Sequence, residues 1–152
     1  MQRLAVTLAL LAVVTLSRPA VAQVPPPVKR APRVRVVDGP RVEIATGHLV
    51  VLRWTTNNPG GSDVHYGVVH YGTDRAHLGR TAKSPIRLNH EHPYTTFRVR
   101  LDDLAPRTTY YYWVDCEESS GESDGVKGAV HEFTTPRAGE RNAAYVRRMA
   151  PR

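Results

Sequence analysis

A run of aromatic residues entered through a proline turn constrains this chain more than any other feature. From Leu101 to Cys116 the sequence reads Leu-Asp-Asp-Leu-Ala-Pro-Arg-Thr-Thr-Tyr-Tyr-Tyr-Trp-Val-Asp-Cys. Pro106 sets the turn, and the residues after it are those that a half-buried strand favours. In a two-sheet sandwich, a tyrosine near the start of such a strand folds its hydroxyl back onto the backbone a few residues upstream and pins the crossover. Tyr110 stands at that position, with Leu104 and Pro106 completing the corner. The corner is a device of architecture and brings no chemistry with it.

The rest of the chain agrees with a sandwich. From Val34 onward, short runs of Val, Leu, Thr and Tyr alternate with Gly, Pro, Asn and Asp every 8–12 residues or so, the spacing of an all-β domain. Val34 to Ala45 supplies a first strand broken by Gly39-Pro40, which suits a sheet edge. His48 to Thr56 gives a second, with Val50, Leu52 and Trp54 on one face and Val51, Arg53 and Thr55 on the other. Asp63 to Gly72 is a third, in which Val69 and Tyr71 point inward and Gly67 marks a bulge or a close backbone approach. Thr81 to His92 is a weaker extended segment, and Tyr94 to Leu101 alternates Phe97, Val99 and Leu101 inward. After the corner, Tyr110, Tyr112, Val114 and Cys116 share one face, and Tyr111, Trp113 and Asp115 the other. A last strand is expected from Lys127 to Thr135, making seven in all. No segment before residue 138 carries helical periodicity over three turns, which excludes a helical domain.

The two ends differ from this middle. Residues 1–22 read as a signal peptide: Arg3, an apolar run from Leu4 to Leu16, then small residues at Ala20 and Ala22, with cleavage expected at Ala22-Gln23. The run is too short for the roughly 20 residues that span a bilayer, and no later stretch offers a transmembrane anchor. The product is expected to be secreted or periplasmic. Cleavage removes Arg3 and Arg18 and no acid, so 21 basic and 14 acidic residues become 19 and 14, a formal net charge of +5. These charges are dispersed along the chain, which argues against specific nucleic-acid binding. Residues 23–33 hold four prolines and are expected to form an extended spacer, while 137–152 form a basic tail, largely disordered, with at most a short helix from Glu140 to Met149. One cysteine, Cys116, allows no intrachain disulfide, so the domain at 34–136 must be held by its core.

Leu52-Arg-Trp54, Val69-His-Tyr71-Gly, Leu104-Ala-Pro106 with Thr108 and Tyr110, and Phe133-Thr-Thr-Pro136 together resemble a fibronectin type III domain, a seven-stranded immunoglobulin-like β-sandwich. More narrowly, Val68-Val-His-Tyr71-Gly-Thr-Asp74-Arg-Ala-His-Leu78 followed by Thr81, and the corner itself, resemble the N-terminal domain of purple acid phosphatases. In that family the two-metal cluster of Asp, Asn, His and Tyr ligands sits in the module that follows. The 16 residues after Pro136 contain no Gly-Asp-x-Gly or Gly-Asn-His-Glu segment, so the resemblance assigns no metal ligand to any residue here.

Independent chemistry has few ingredients. His90 and His92 lie on one side of an extended segment, and His65 and His70 in a neighbouring one, so a surface zinc or copper site is conceivable if the pairs converge. Cys116 shares its phase with Tyr112 and Val114, which buries it as a small apolar residue. Trp54 is core by phase, whereas Trp113 and Tyr111 face outward and are the candidates for surface recognition. The loop from Asp115 to Gly125 has five carboxylates in eleven residues but lacks the spacing of a calcium loop, and is expected to be a solvated, mobile hairpin open to an ion or a basic partner.

The sequence reading is therefore an exported, non-catalytic module for extracellular or cell-envelope recognition, without cofactor, whose partner is a protein or a cell-surface polysaccharide. The alternatives are a stand-alone accessory domain working beside a separate phosphatase, and an envelope-surface adhesin using the basic tail.

Overall fold

A computed structural model of the chain describes residues 29–141. The expected signal peptide at 1–22, its expected cleavage point, the start of the proline-rich segment and the tail from 142 onward lie outside the described residues. Seven strands follow in order: β1 (Val36–Ala45), β2 (Val50–Asn57), β3 (Val64–Gly72), β4 (Arg80–Arg87), β5 (Tyr94–Leu101), β6 (Thr109–Glu118) and β7 (His131–Thr134). They form two antiparallel sheets, β1-β2-β5 and β4-β3-β6-β7. This is a fibronectin type III-like sandwich. Among the described residues no helix is long and apolar enough to cross a membrane.

The core follows from the period-2 alternation of each strand. Val50, Leu52 and Trp54 of β2 and Phe97, Val99 and Leu101 of β5 face Val69 and Tyr71 of β3 and Tyr110, Tyr112, Val114 and Cys116 of β6, all at or below 5% exposure. Each such aliphatic or aromatic side chain contributes about 1.5–3 kcal/mol by burial. Trp54 stacks on Phe97 with centroids 5.5 Å apart. Gly67 makes this stack possible: a Cβ there would stand 3.1 Å from Phe97 Cβ and from the Trp54 ring. The β3 register runs unbroken against both neighbours, so Gly67 serves close approach and not a bulge.

At the corner, Ala105 is held from both sides. Its N–H donates to Tyr110 Oη at 2.9 Å, and its carbonyl accepts from Thr135 Oγ1 at 2.6 Å. The Tyr110 ring packs against Phe133 at 5.6 Å and Tyr71 at 6.4 Å, and Leu104 is buried while Pro106 is exposed on the turn.

Several boundaries differ from the sequence reading. The last strand covers only His131–Thr134, because the chain before it turns Val126 into the core and leaves the Lys127–Ala129 stretch off the sheet. The segment Thr81–His92 stops being a strand at Arg87; Leu88 turns inward with its N–H on Asp63 O, and His92 N–H closes a turn onto Asn89 O. Residues 29–33 are not a free spacer: Ala31 N–H donates to Pro59 O at 2.7 Å and Arg33 O accepts from Asn57 Nδ2. Likewise the start of the expected tail is tied down, with Arg141 bridged to Thr46 and Glu140 N–H on Arg137 O. The 115–125 loop is a hairpin with an exposed tip, laced at its base where Glu118 and Glu122, Cys116 and Asp124, and Glu117 and Ser123 pair through their backbones. Asp115, expected on the outward face, is buried there, accepting from Cys116 N–H and Ser123 Oγ.

Candidate functional site

The four histidines named as candidate metal ligands do not converge. His65 and His70 are five residues apart on β3, an odd spacing that sends them to opposite faces of the sheet. His65 is fully buried, with Nδ1 2.9 Å from Asp124 Oδ2 and Nε2 3.1 Å from Gly60 O. His70 lies on the outer face, stacked on Trp113 at 4.0 Å; this burial holds its imidazolium less stable than usual, against the opposing pull of Asp115 and Glu117. His90 Nε2 is 2.9 Å from Asp63 Oδ1, an interaction that lowers the Asp63 pKa. His92 Nδ1 accepts from Tyr94 N–H at 3.2 Å. The four rings therefore meet four different sets of partners and form no common site.

The two aromatic residues expected on the surface are occupied as well. Trp113 has His70 stacked on it and Lys127 Nζ 5.4 Å from its ring centre, while Arg75 lies 5.8 Å over Tyr111. Rings flanked in this way pack within the outer sheet face and offer little open π surface to a ligand. Cys116 has no exposure, and burial pushes its thiol pKa far up, which keeps it an inert thiol.

The open surface lies on the other sheet. Val37 and Tyr94, the two large hydrophobic side chains exposed among the described residues at 43% and 51%, both line one shallow depression of about 420 Å³. Asp38, Arg53, Thr55, His92 and Thr96 complete it. Val36 packs toward the core, so alternation turns Val37 to solvent, while the register shifts on either side of Asp38 mark bulges that bring Asp38 to the same face. Tyr94 faces it from the start of β5, across from Asn57 of β2.

The floor of the depression is polar. Thr55 and Thr96 face each other across β2 and β5 with their hydroxyls 2.8 Å apart. Arg53 stands in a cross-strand row between Arg41 and Arg98, and like charges so placed repel. Carboxylates offset this: Asp38 takes Arg41 at 2.6 Å and Arg53 at 3.4 Å, and Glu43 takes Arg98 at 2.8 Å. The Arg41 hydrogen bond is the main cause of a lowered Asp38 pKa. An exposed phenol beside paired hydroxyls and a guanidinium–carboxylate pair suits stacking plus hydrogen bonding to a ring-bearing ligand, a binding chemistry without a nucleophile. The outward phase of Tyr94 with Thr96 is visible in the sequence; the register that sets Val37 beside it and the bulge that adds Asp38 are not.

Among known proteins, one family model and several solved structures resemble the chain. No curated protein sequence matches the chain. Among solved structures, the sensor domain of the anti-sigma factor RsgI4 from Pseudobacteroides cellulosolvens aligns at 13% identity and TM-score 0.46, covering 74% of this chain and 93% of that one. The human contactin 1 fibronectin type III domain aligns at 16% identity and TM-score 0.42, covering 83% and 96%. The sixth such domain of human fibronectin type III domain containing protein 3 aligns at 18% identity and TM-score 0.42, covering 70% and 88%. The family model for the N-terminal domain of purple acid phosphatases matches residues 39–135, more than half of the sequence and all seven strands but the first residues of β1. The chain therefore belongs to the purple acid phosphatase N-terminal domain family.

Proposed function

We propose that this protein is an exported, non-catalytic recognition module that binds a cell-surface polysaccharide through the Tyr94 depression. The observation that carries the reading is the pairing of the two exposed large hydrophobic side chains, Val37 and Tyr94, over a floor of hydroxyl and charged groups. Sugar rings stack on an open aromatic face and hydrogen-bond to groups such as the Thr55–Thr96 pair. Export rests on the N-terminal signal peptide and places the domain where such a partner is found.

The test is affinity electrophoresis of the protein through gels containing cell-wall polysaccharide, with Tyr94→Ala as the variant. Native protein is retarded and the variant runs free, while its stability stays within about 0.5 kcal/mol because the ring is exposed. Equal retardation of both would move recognition off the depression. Turnover of an aryl phosphate that survives repurification would overturn the non-catalytic part.

Family membership favours a second reading, in which the same domain serves as an accessory to a separately encoded metallophosphatase. Co-purification of a phosphatase from the exported fraction, lost on Tyr94→Ala, would select it.

A further inference from the structure

At one end of the sandwich, three chain segments bring His65 of β3, Glu118 of β6 and Asp124 of the hairpin together, with one ligand atom from each within 4.8 Å of the others. The His65 ring is fully buried and the Asp124 side chain 3% exposed. Both imidazole nitrogens face oxygens that only accept: Gly60 O at 3.1 Å and Asp124 Oδ2 at 2.9 Å. A neutral ring has one N–H. When that N–H is Nε2 donating to Gly60 O, the Nδ1 lone pair points toward the Asp124 carboxylate, an arrangement in which the two share a cation. A histidine anchored to a backbone carbonyl through its far nitrogen is also oriented as metal-binding histidines are.

The third donor is poised in the same way. Glu118 Oε1 is buried and has no aligned hydrogen-bond donor, although Arg30 Nε lies 2.7 Å away. Space for this oxygen depends on Gly61, where a Cβ would stand 2.6 Å from it. Arg30 also reaches Asp124 Oδ1 at 3.7 Å, so its guanidinium plugs the mouth of the cluster while its side chain remains 46% exposed.

We propose that His65 Nδ1, an Asp124 oxygen and Glu118 Oε1 bind a divalent first-row transition ion of the zinc class, which takes the place of the Arg30 guanidinium. One imidazole and two carboxylates make a donor set that such ions accept, with a fourth position left for water. The incoming dication takes over the two carboxylates that the Arg30 guanidinium neutralises. Metal binding thereby loosens the N-terminal segment that Arg30 and Ala31 fasten to the domain.

Isothermal titration of the full chain with zinc chloride tests the site. The expected result is one saturable binding event. Arg30→Ala should tighten it, because the competing cation is gone. Glu118→Gln, a change at the margin of the fold that leaves the melting temperature as a check on folding, should weaken it about tenfold or more. Absence of saturable heat in both the native chain and Arg30→Ala overturns the proposal. So does unchanged zinc affinity in folded Glu118→Gln, which would place the ion on other histidines.

Discussion

Replacing Tyr110 by phenylalanine removes a single oxygen from the corner and leaves the ring contacts with Phe133 and Tyr71 in place. What is lost is the acceptor for Ala105 N–H, 2.9 Å away in a part-buried position. A net hydrogen bond of this kind contributes about 0.5–1.5 kcal/mol, and a donor left partly buried without a partner adds to the cost, so the expected loss is about 1–2 kcal/mol. For a domain of this size, at about 4–8 °C for each kcal/mol, that lowers the melting temperature by about 4–16 °C. The other side of Ala105 offers an internal control. Thr135 Oγ1 donates to its carbonyl, accepts from Thr108 N–H at 2.9 Å, and belongs to a side chain only 2% exposed. Thr135→Val should therefore cost more than Tyr110→Phe. Because both side chains hold the same peptide segment, the double variant should lose less than the sum, with a coupling of at least about 0.5 kcal/mol. Urea denaturation of the four proteins measures the cycle. An unaltered midpoint for Tyr110→Phe, or strict additivity, would refute the corner as the element that pins the two sheets.

Gly67→Ala should destabilise by about 1–3 kcal/mol, since the new methyl meets the Trp54–Phe97 stack at 3.1 Å and the opposing sheet must give way; a urea midpoint equal to that of the native protein would show that the sheets part freely. Alkaline stability should fall between pH 10 and about 12. Burial raises the Tyr112 phenol from 10.0 to about 12, so the folded state keeps a proton that the unfolded chain has already lost. The stabilisation is fully present below pH 10 and is lost as pH rises through that window, at about 1.4 kcal/mol per pH unit. Tyr112→Phe should flatten this slope in denaturation curves collected across the range, and an unchanged slope would exclude Tyr112 as its source.

The architecture was legible in the chain because a strand reports its two faces residue by residue. Val50, Leu52 and Trp54, or Phe97, Val99 and Leu101, declare a buried side through alternation alone. Tyr110 could be placed because its partner lies only five residues away. Where strands end was less legible: His131–Thr134 is shorter than its composition suggests because Val126 is drawn inward before the sheet begins. The surroundings of the surface residues were illegible for a related reason. Outward phase is visible for Trp113 and Tyr111, but not that His70, Lys127 and Arg75 pack on their rings.

The sequence by itself determined a β-sandwich with a tyrosine corner and a core held without disulfides, since these rest on alternation, turn chemistry and a single cysteine. Only the tertiary structure decided which side chains meet. Val37 and Tyr94 meet through the pairing of β1 and β5 with β2, and His65 meets Asp124 and Glu118 across separations of 59 and 53 positions. The physical reason is that alternation fixes the face on which a residue stands, whereas the register between distant strands and the course of the hairpin fix its neighbours, and those are set by the packing of the whole domain.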